Sequence, residues 1–205
     1  MTAFAPYGDT AASAIYHLLF ADDPAAFAPH GDASPAPWQA LLGAARPDAA
    51  AIRALANDAA QESRVRALAC LWLRTHGEPV PARELFGAIV EVPLDAGLDV
   101  LAVYADGGVR YLNHSGAMSI FEGTVPALQQ ETQAVLAAAR AVVARIGPWD
   151  KPRLPPPVAG NVRVSFVVSD GLYFGEGPYR ALAQDGLAGP LLQHATALLQ
   201  AIVNA

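Results

Sequence analysis

Leu85-Phe86-Gly87-Ala88-Ile89-Val90-Glu91-Val92-Pro93-Leu94, then Asp95-Ala96-Gly97, then Leu98-Asp99-Val100-Leu101-Ala102-Val103-Tyr104-Ala105, is the stretch that decides the fold class. β-Branched and aromatic residues crowd both runs, and turn-forming residues separate them. Two more such runs follow, Val109 to Asn113 and Ala117 to Glu122. The breaks before them are Asp106-Gly107-Gly108 and His114-Ser115-Gly116. Asp-Gly supplies the positive φ angles of a tight hairpin, and a glycine closing a three-residue loop suits a left-handed bulge position. Four strands joined by such short turns predict an antiparallel meander. In the second strand Val100 and Tyr104 fall on one face, Leu101 and Val103 on the other. Both faces therefore need cover, and helices are the expected cover.

Helical signals lie on both sides of this block. Upstream, Asp9 or Thr10 caps a predicted helix running to about Phe20, and residues 24–37 form a loop rich in Pro, Gly and Asp. A short helix is expected around Trp38, Leu41 and Leu42, and another from Pro47 carrying Ile52, Leu55 and Ala56. Val65, Leu68, Ala69 and Trp72 then fall on one face of a helix over residues 61–75, which Gly77 stops. Downstream, Leu128, Thr132, Val135, Leu136, Ala139, Val142, Val143 and Ile146 make one continuous stripe over residues 125–146, ended by Gly147-Pro148. A proline-rich run to Gly160 is extended in places. A second hairpin is expected around Asp170-Gly171, with strands over 161–169 and 172–175. Two helices follow Gly177-Pro178 and Gly189-Pro190. The expectation is an α+β protein: a helical N-terminal part packed on an antiparallel sheet, a four-strand meander plus a later hairpin, with covering helices. Residues 1–80 form the helical part and residues 81–205 the ββββ-α-ββ-αα part, sharing one core.

Composition narrows the function classes. At 205 residues, 53% of them hydrophobic and only 16% charged, the chain is long enough and apolar enough for a large core. Mean hydropathy is +0.26, yet Gln193, His194, Thr196, Gln200 and Asn204 interrupt the apolar C-terminal stretch, which predicts an amphipathic surface helix and no membrane span. The net charge is −6, and Arg46, Arg53, Arg64, Arg66, Arg74 and Arg83 are interleaved with acids. That pattern speaks against nucleic acid and anionic membrane. The first basic residue is Arg46, so a basic leader before an apolar run is missing, and Cys70 is the single cysteine. Both point to the cytoplasm. Cys70 beside Leu71 and Trp72 is expected as a small buried hydrophobe. Lys151 is the only lysine, a bias of coding composition, as in a GC-rich bacterium.

Candidate chemistry is sparse. Asn113, His114 and Ser115 bring an amide, an imidazole and a hydroxyl to one hairpin loop, the expected catalytic place if there is one. Neighbours in an extended chain point to opposite sides, however, and Asn, Ser and Gly are ordinary turn residues. Gly175 and Gly177, with Arg180 one turn into a following helix, are the ligand-binding candidates. The dinucleotide fingerprint fails there because Arg180 stands where its third glycine belongs. His17, His30, His76, His114 and His194 are scattered without metal-ligand spacing, so no metal and no cofactor is expected. Glu91, Asp99, Glu122 and Asp170 are the acids from which a carboxylate pair would have to come. Residues 151–157, Lys-Pro-Arg-Leu-Pro-Pro-Pro, have the form of a polyproline ligand, with a stiff connector as the plainer expectation.

Residues 64–123, above all Glu84 to Val92 and Tyr111-Leu112-Asn113-His114-Ser115-Gly116, resemble a group of uncharacterised bacterial proteins. The resemblance implies bacterial origin and a helix-plus-meander core, and it carries over no residue role. The failure of each catalytic template and the high apolar content favour a non-catalytic binding or assembly protein, with a homo-oligomer or another protein as partner. A small-molecule hydrolase working at the 113–116 loop and a ligand-sensing domain are the alternatives.

Overall fold

The computed structural model describes residues 4–29 and 33–204. Its centre is a six-stranded, wholly antiparallel sheet in the order β4-β3-β2-β1-β5-β6. The strands are β1 (Leu85–Leu94), β2 (Gly97–Tyr104), β3 (Val109–Leu112), β4 (Met118–Phe121), β5 (Asn161–Val168) and β6 (Gly171–Pro178). The meander is therefore present, and the later hairpin adds to its β1 side. Helices precede, interrupt and follow it: α1 (Thr10–Leu18), α2 (Pro37–Leu42), α3 (Ala49–Asn57), α4 (Ser63–Thr75), α5 (Gln129–Val143), α6 (Tyr179–Gln184) and α7 (Ala188–Val203).

Local chemistry accounts for most of these boundaries. The Asp9 carboxylate accepts from the N–H groups of Ala11 and Ala12 and so opens α1. Asp48 does the same for α3 through Ala50, which leaves Pro47 just outside the helix. Gly77 adopts φ +74, and Glu78 N–H returns to the Leu73 carbonyl to close α4. α5 is shorter than its stripe, because residues 125–128 form a turn that still buries Leu128.

Two apolar layers sandwich the sheet. On one face Ala12 and Tyr16 of α1, Ile52 and Ala56 of α3, and Leu68 and Leu73 of α4 pack on Phe86, Ile89, Val100, Ala102 and Tyr104. On the other, Val135, Leu136, Ala139 and Val143 of α5, with Leu191, Leu198 and Ile202 of α7, pack on Ala88, Val90, Leu101, Val103, Val164 and Phe166. The alternation of β2 thus feeds both layers. Each fully buried Leu, Ile or Phe contributes roughly 1.5–3 kcal/mol relative to exposure. Among the described residues no helix is long and apolar enough to cross a membrane.

Candidate functional site

The loop at residues 113–116 joins β3 to β4 and is built by Asn113. Its backbone closes the turn through Asn113 N–H to Ala117 O and Gly116 N–H to Asn113 O, both at 2.9 Å. Its side-chain Oδ1 accepts from Ser115 N–H at 2.9 Å, Ser115 Oγ–H at 2.7 Å and Ala117 N–H at 3.0 Å. The Ser115 hydroxyl is thereby committed to Asn113 and not to His114.

His114 has a different partner. Asp99, at the start of β2, accepts from His114 N–H at 2.7 Å, and the same oxygen lies 3.3 Å from the ring Nδ1. Its second oxygen accepts from Tyr111 O–H at 2.8 Å. Burial, then the hydrogen bond to Asp99 and its charge, pushes the Tyr111 phenol up to about 12. Gly97 makes this meeting of two loops feasible: a Cβ there would stand 2.5 Å from the His114 carbonyl oxygen, at a φ of +147. The His114 side chain is 44% exposed. The crevice that reaches Asp99 and Tyr111 from below, lined also by Val92, Leu101 and Leu199, encloses about 70 Å³. Small-molecule sites occupy roughly 300–1,000 Å³. An acid–imidazole pair is present, then, and among the described residues no hydroxyl or thiol is hydrogen-bonded to the His114 ring, while the crevice at Asp99 is small.

Gly175 and Gly177 fall inside β6, opposite Val164 and Val162, with Glu176 opposite Arg163. β6 runs three residues beyond the predicted end at Gly175, because Asn161 to Val164 on β5 offers it a continuous partner. The two glycines therefore belong to a sheet ladder and not to a phosphate-cradling loop. α6 is six residues long, and Arg180 on it is exposed. A broad, solvent-open crevice of about 670 Å³ lies between α6 and α7, bordered by Tyr179, Asp185, Gln193, Thr196 and Gln200.

The candidate acids do not pool. Glu122 pairs with Arg110 at 2.9 Å, Asp170 accepts from Tyr173 O–H, and Asp99 serves Tyr111 and His114. Among the described residues no group of three or more His, Cys, Asp or Glu side chains could hold a metal ion, and His30 lies outside those residues. Cys70 is buried, and burial pushes its thiol up to about 11, which makes it a poor nucleophile.

A buried polar cluster lies elsewhere, under α1. Glu91 on β1 is fully buried and accepts from Tyr16 O–H at 2.7 Å. Arg163 on β5, also buried, stands 4.0 Å from the second Glu91 oxygen and holds Glu176 at 2.5 Å. Burial raises the Glu91 carboxyl above its ordinary range, against the lowering pull of the Tyr16 hydrogen bond, Arg163 and Arg153. Burial also raises the Tyr16 phenol, reinforced by the Glu91 charge. At Glu176 partial desolvation is outweighed by hydrogen bonds from Arg163 and Asn161, so that carboxyl is lowered. A charged residue at a core-facing position of an otherwise apolar strand is the signal that could have exposed this cluster: Glu91 between Val90 and Val92, and Arg163 between Val162 and Val164.

No protein-family model matches the chain, and comparison with the curated proteins found no match to it. Residue roles therefore rest on geometry alone.

Proposed function

We propose that this chain is a non-catalytic assembly protein of the bacterial cytoplasm that pairs with a second copy of itself along β4. One observation carries the proposal. Met118 and Ile120 on β4 are 38% and 46% exposed, on a strand whose outer edge pairs with no other strand among the described residues. Their cross-strand partners are Leu112 and Arg110. Facing residues of antiparallel strands share a side, so both side chains project on the α1/α4 side of the sheet, beyond the cover those helices provide. An apolar, unpaired edge strand is the surface on which strand addition occurs. Four residues around a two-fold axis suit an isologous antiparallel contact. Buried Cys70, with its raised thiol, fits a reducing compartment.

The test is particle mass in solution across a concentration series, for the wild type and for M118K/I120K. A dimer that the double substitution turns into a folded monomer supports the proposal. A wild-type monomer at high micromolar concentration overturns it.

The Asp99–His114 contact favours a second reading, a hydrolase at the 113–116 loop. Hydrolysis of a panel of small esters that is lost in H114A would support it. An inert wild type would remove it.

A further inference from the structure

Residues 149–158 form a strap between α5 and β5, without helix or strand beyond one bridge at Trp149. The strap contains Pro152, Pro155, Pro156 and Pro157, so four of its ten residues offer no N–H. Trp149 N–H reaches the Leu172 carbonyl at 2.7 Å, and Arg163 Nη1 donates to the carbonyls of Leu154 at 3.2 Å and Pro155 at 2.7 Å. Leu154 and Val158 are exposed.

The strap's main anchor is one side chain. The Arg153 guanidinium lies 3.8 Å from the ring centre of Phe20, 5.2 Å from Phe4 and 5.4 Å from Tyr16. Its Nε donates to Asp22 at 2.7 Å and its Nη2 to His17 Nδ1 at 2.9 Å. A guanidinium can only donate, so Nδ1 is the acceptor, and the proton sits on Nε2, which donates to the Phe4 carbonyl at 2.8 Å. Three aromatic rings, a carboxylate and an oriented imidazole acceptor are the chemistry of a guanidinium receptor. The side chain is only 9% exposed. Three buried side-chain polar atoms lack a hydrogen-bond partner among the described residues: Arg74 Nε, which lies elsewhere, and, in and beside this cage, Arg153 Nη1 and Glu91 Oε2. An arginine seated differently in the cage could gain bonds that the tethered one lacks.

We propose that Phe4, Tyr16, Phe20, His17 and Asp22 form a guanidinium-binding site, and that the strap is its intramolecular occupant, displaceable by an arginine carried on an extended, proline-flanked peptide. The site lies apart from β4, and its test does not depend on that edge. A short tether presents its own arginine at an effective concentration on the order of millimolar, so the free competitor must reach that range.

The probe is a nine-residue peptide copying residues 150–158, with a second peptide carrying lysine in place of Arg153 as the control. In the wild type, the Arg153 Nε–H resonance is followed as unlabelled peptide is added to millimolar concentration. The arginine peptide is expected to move it to a solvent-exchanging position, while the lysine peptide leaves it in place. Against R153A, whose cage has lost its tethered occupant, the arginine peptide is expected to bind roughly tenfold or more tightly than to the wild type. An Nε–H signal unmoved by millimolar peptide, or moved equally by both peptides, overturns the proposal. So does equal affinity for wild type and a folded R153A. Should R153A not fold, the wild-type titration decides alone.

Discussion

Tyr16 on α1 gives its hydroxyl proton to Glu91 on β1 at 2.7 Å, across 75 positions of chain, and both side chains are sealed from solvent. This bond ties the N-terminal helices to the centre of the sheet. It places an ionisable carboxyl where water cannot stabilise its charge, so the stability of the protein acquires a particular dependence on pH.

Burial lifts the folded-state value of Glu91 above its unfolded value, so the folded protein holds this proton more tightly. The associated stability is fully present below the unfolded carboxyl value, about 4.3, and is lost as pH rises through the folded value. E91Q keeps the acceptor for Tyr16 and removes the titration. Thermal melts across pH are expected to show the wild type losing stability relative to E91Q as pH rises above the unfolded carboxyl value. Parallel curves would refute this. Glu176 works in the opposite sense, since its value is lowered. Its contribution is present above the unfolded value and disappears only in more acidic solution.

Removing Arg163 leaves Glu91 and Glu176 without their shared cation and releases the strap carbonyls of Leu154 and Pro155. R163M is expected to destabilise by roughly 3–5 kcal/mol, the range for breaking a buried ion pair from one side. Urea unfolding measures it. Adding E91Q to R163M should recover part of the loss, because the orphaned charge then disappears. A double variant no better than R163M would contradict that coupling.

At the 113–116 loop the side chains separate by role. N113A removes three accepted hydrogen bonds and is expected to cost about 1–2 kcal/mol. S115A and H114A should each stay within about 0.5 kcal/mol of the wild type, as exposed positions do. Chemical denaturation of the three variants gives the order directly, and a loss in S115A larger than in N113A would contradict the turn architecture.

G97A places a Cβ against the His114 carbonyl at a backbone angle that side chains rarely adopt. It is expected to destabilise by more than about 1 kcal/mol and to shift the amide signals of residues 113–116 along with those of residues 95–98. Shifts confined to residues 95–98 would show that the two loops are not mechanically joined.

Most of the sheet was legible in the order of residues. The breaks at Asp95-Ala96-Gly97, Asp106-Gly107-Gly108 and Asp170-Gly171 fall within a residue of the turns, although Gly97 and Gly171 already open β2 and β6, because positive φ and side-chain-to-backbone bonds in a tight turn are settled within three or four residues. The double-sided apolar pattern of β2 likewise anticipated helices on both faces, since strand alternation is a local geometric fact. The end of β6 was not legible: Gly175-Glu176-Gly177 has little strand propensity, and only the presence of β5 alongside keeps it extended. Nor was the polar cluster. His114 stood out as a candidate because of its sequence neighbours, yet its partner is Asp99, 15 positions away. Glu91, Tyr16, Arg163 and Arg153 come from a strand, a helix, another strand and a strap. Periodicity and turn chemistry, which the sequence carried by itself, are short-range and act through one or two bonds at a time. Convergence of distant side chains is the outcome of packing two helical layers on one sheet, and only the folded molecule determines which charges are sealed together.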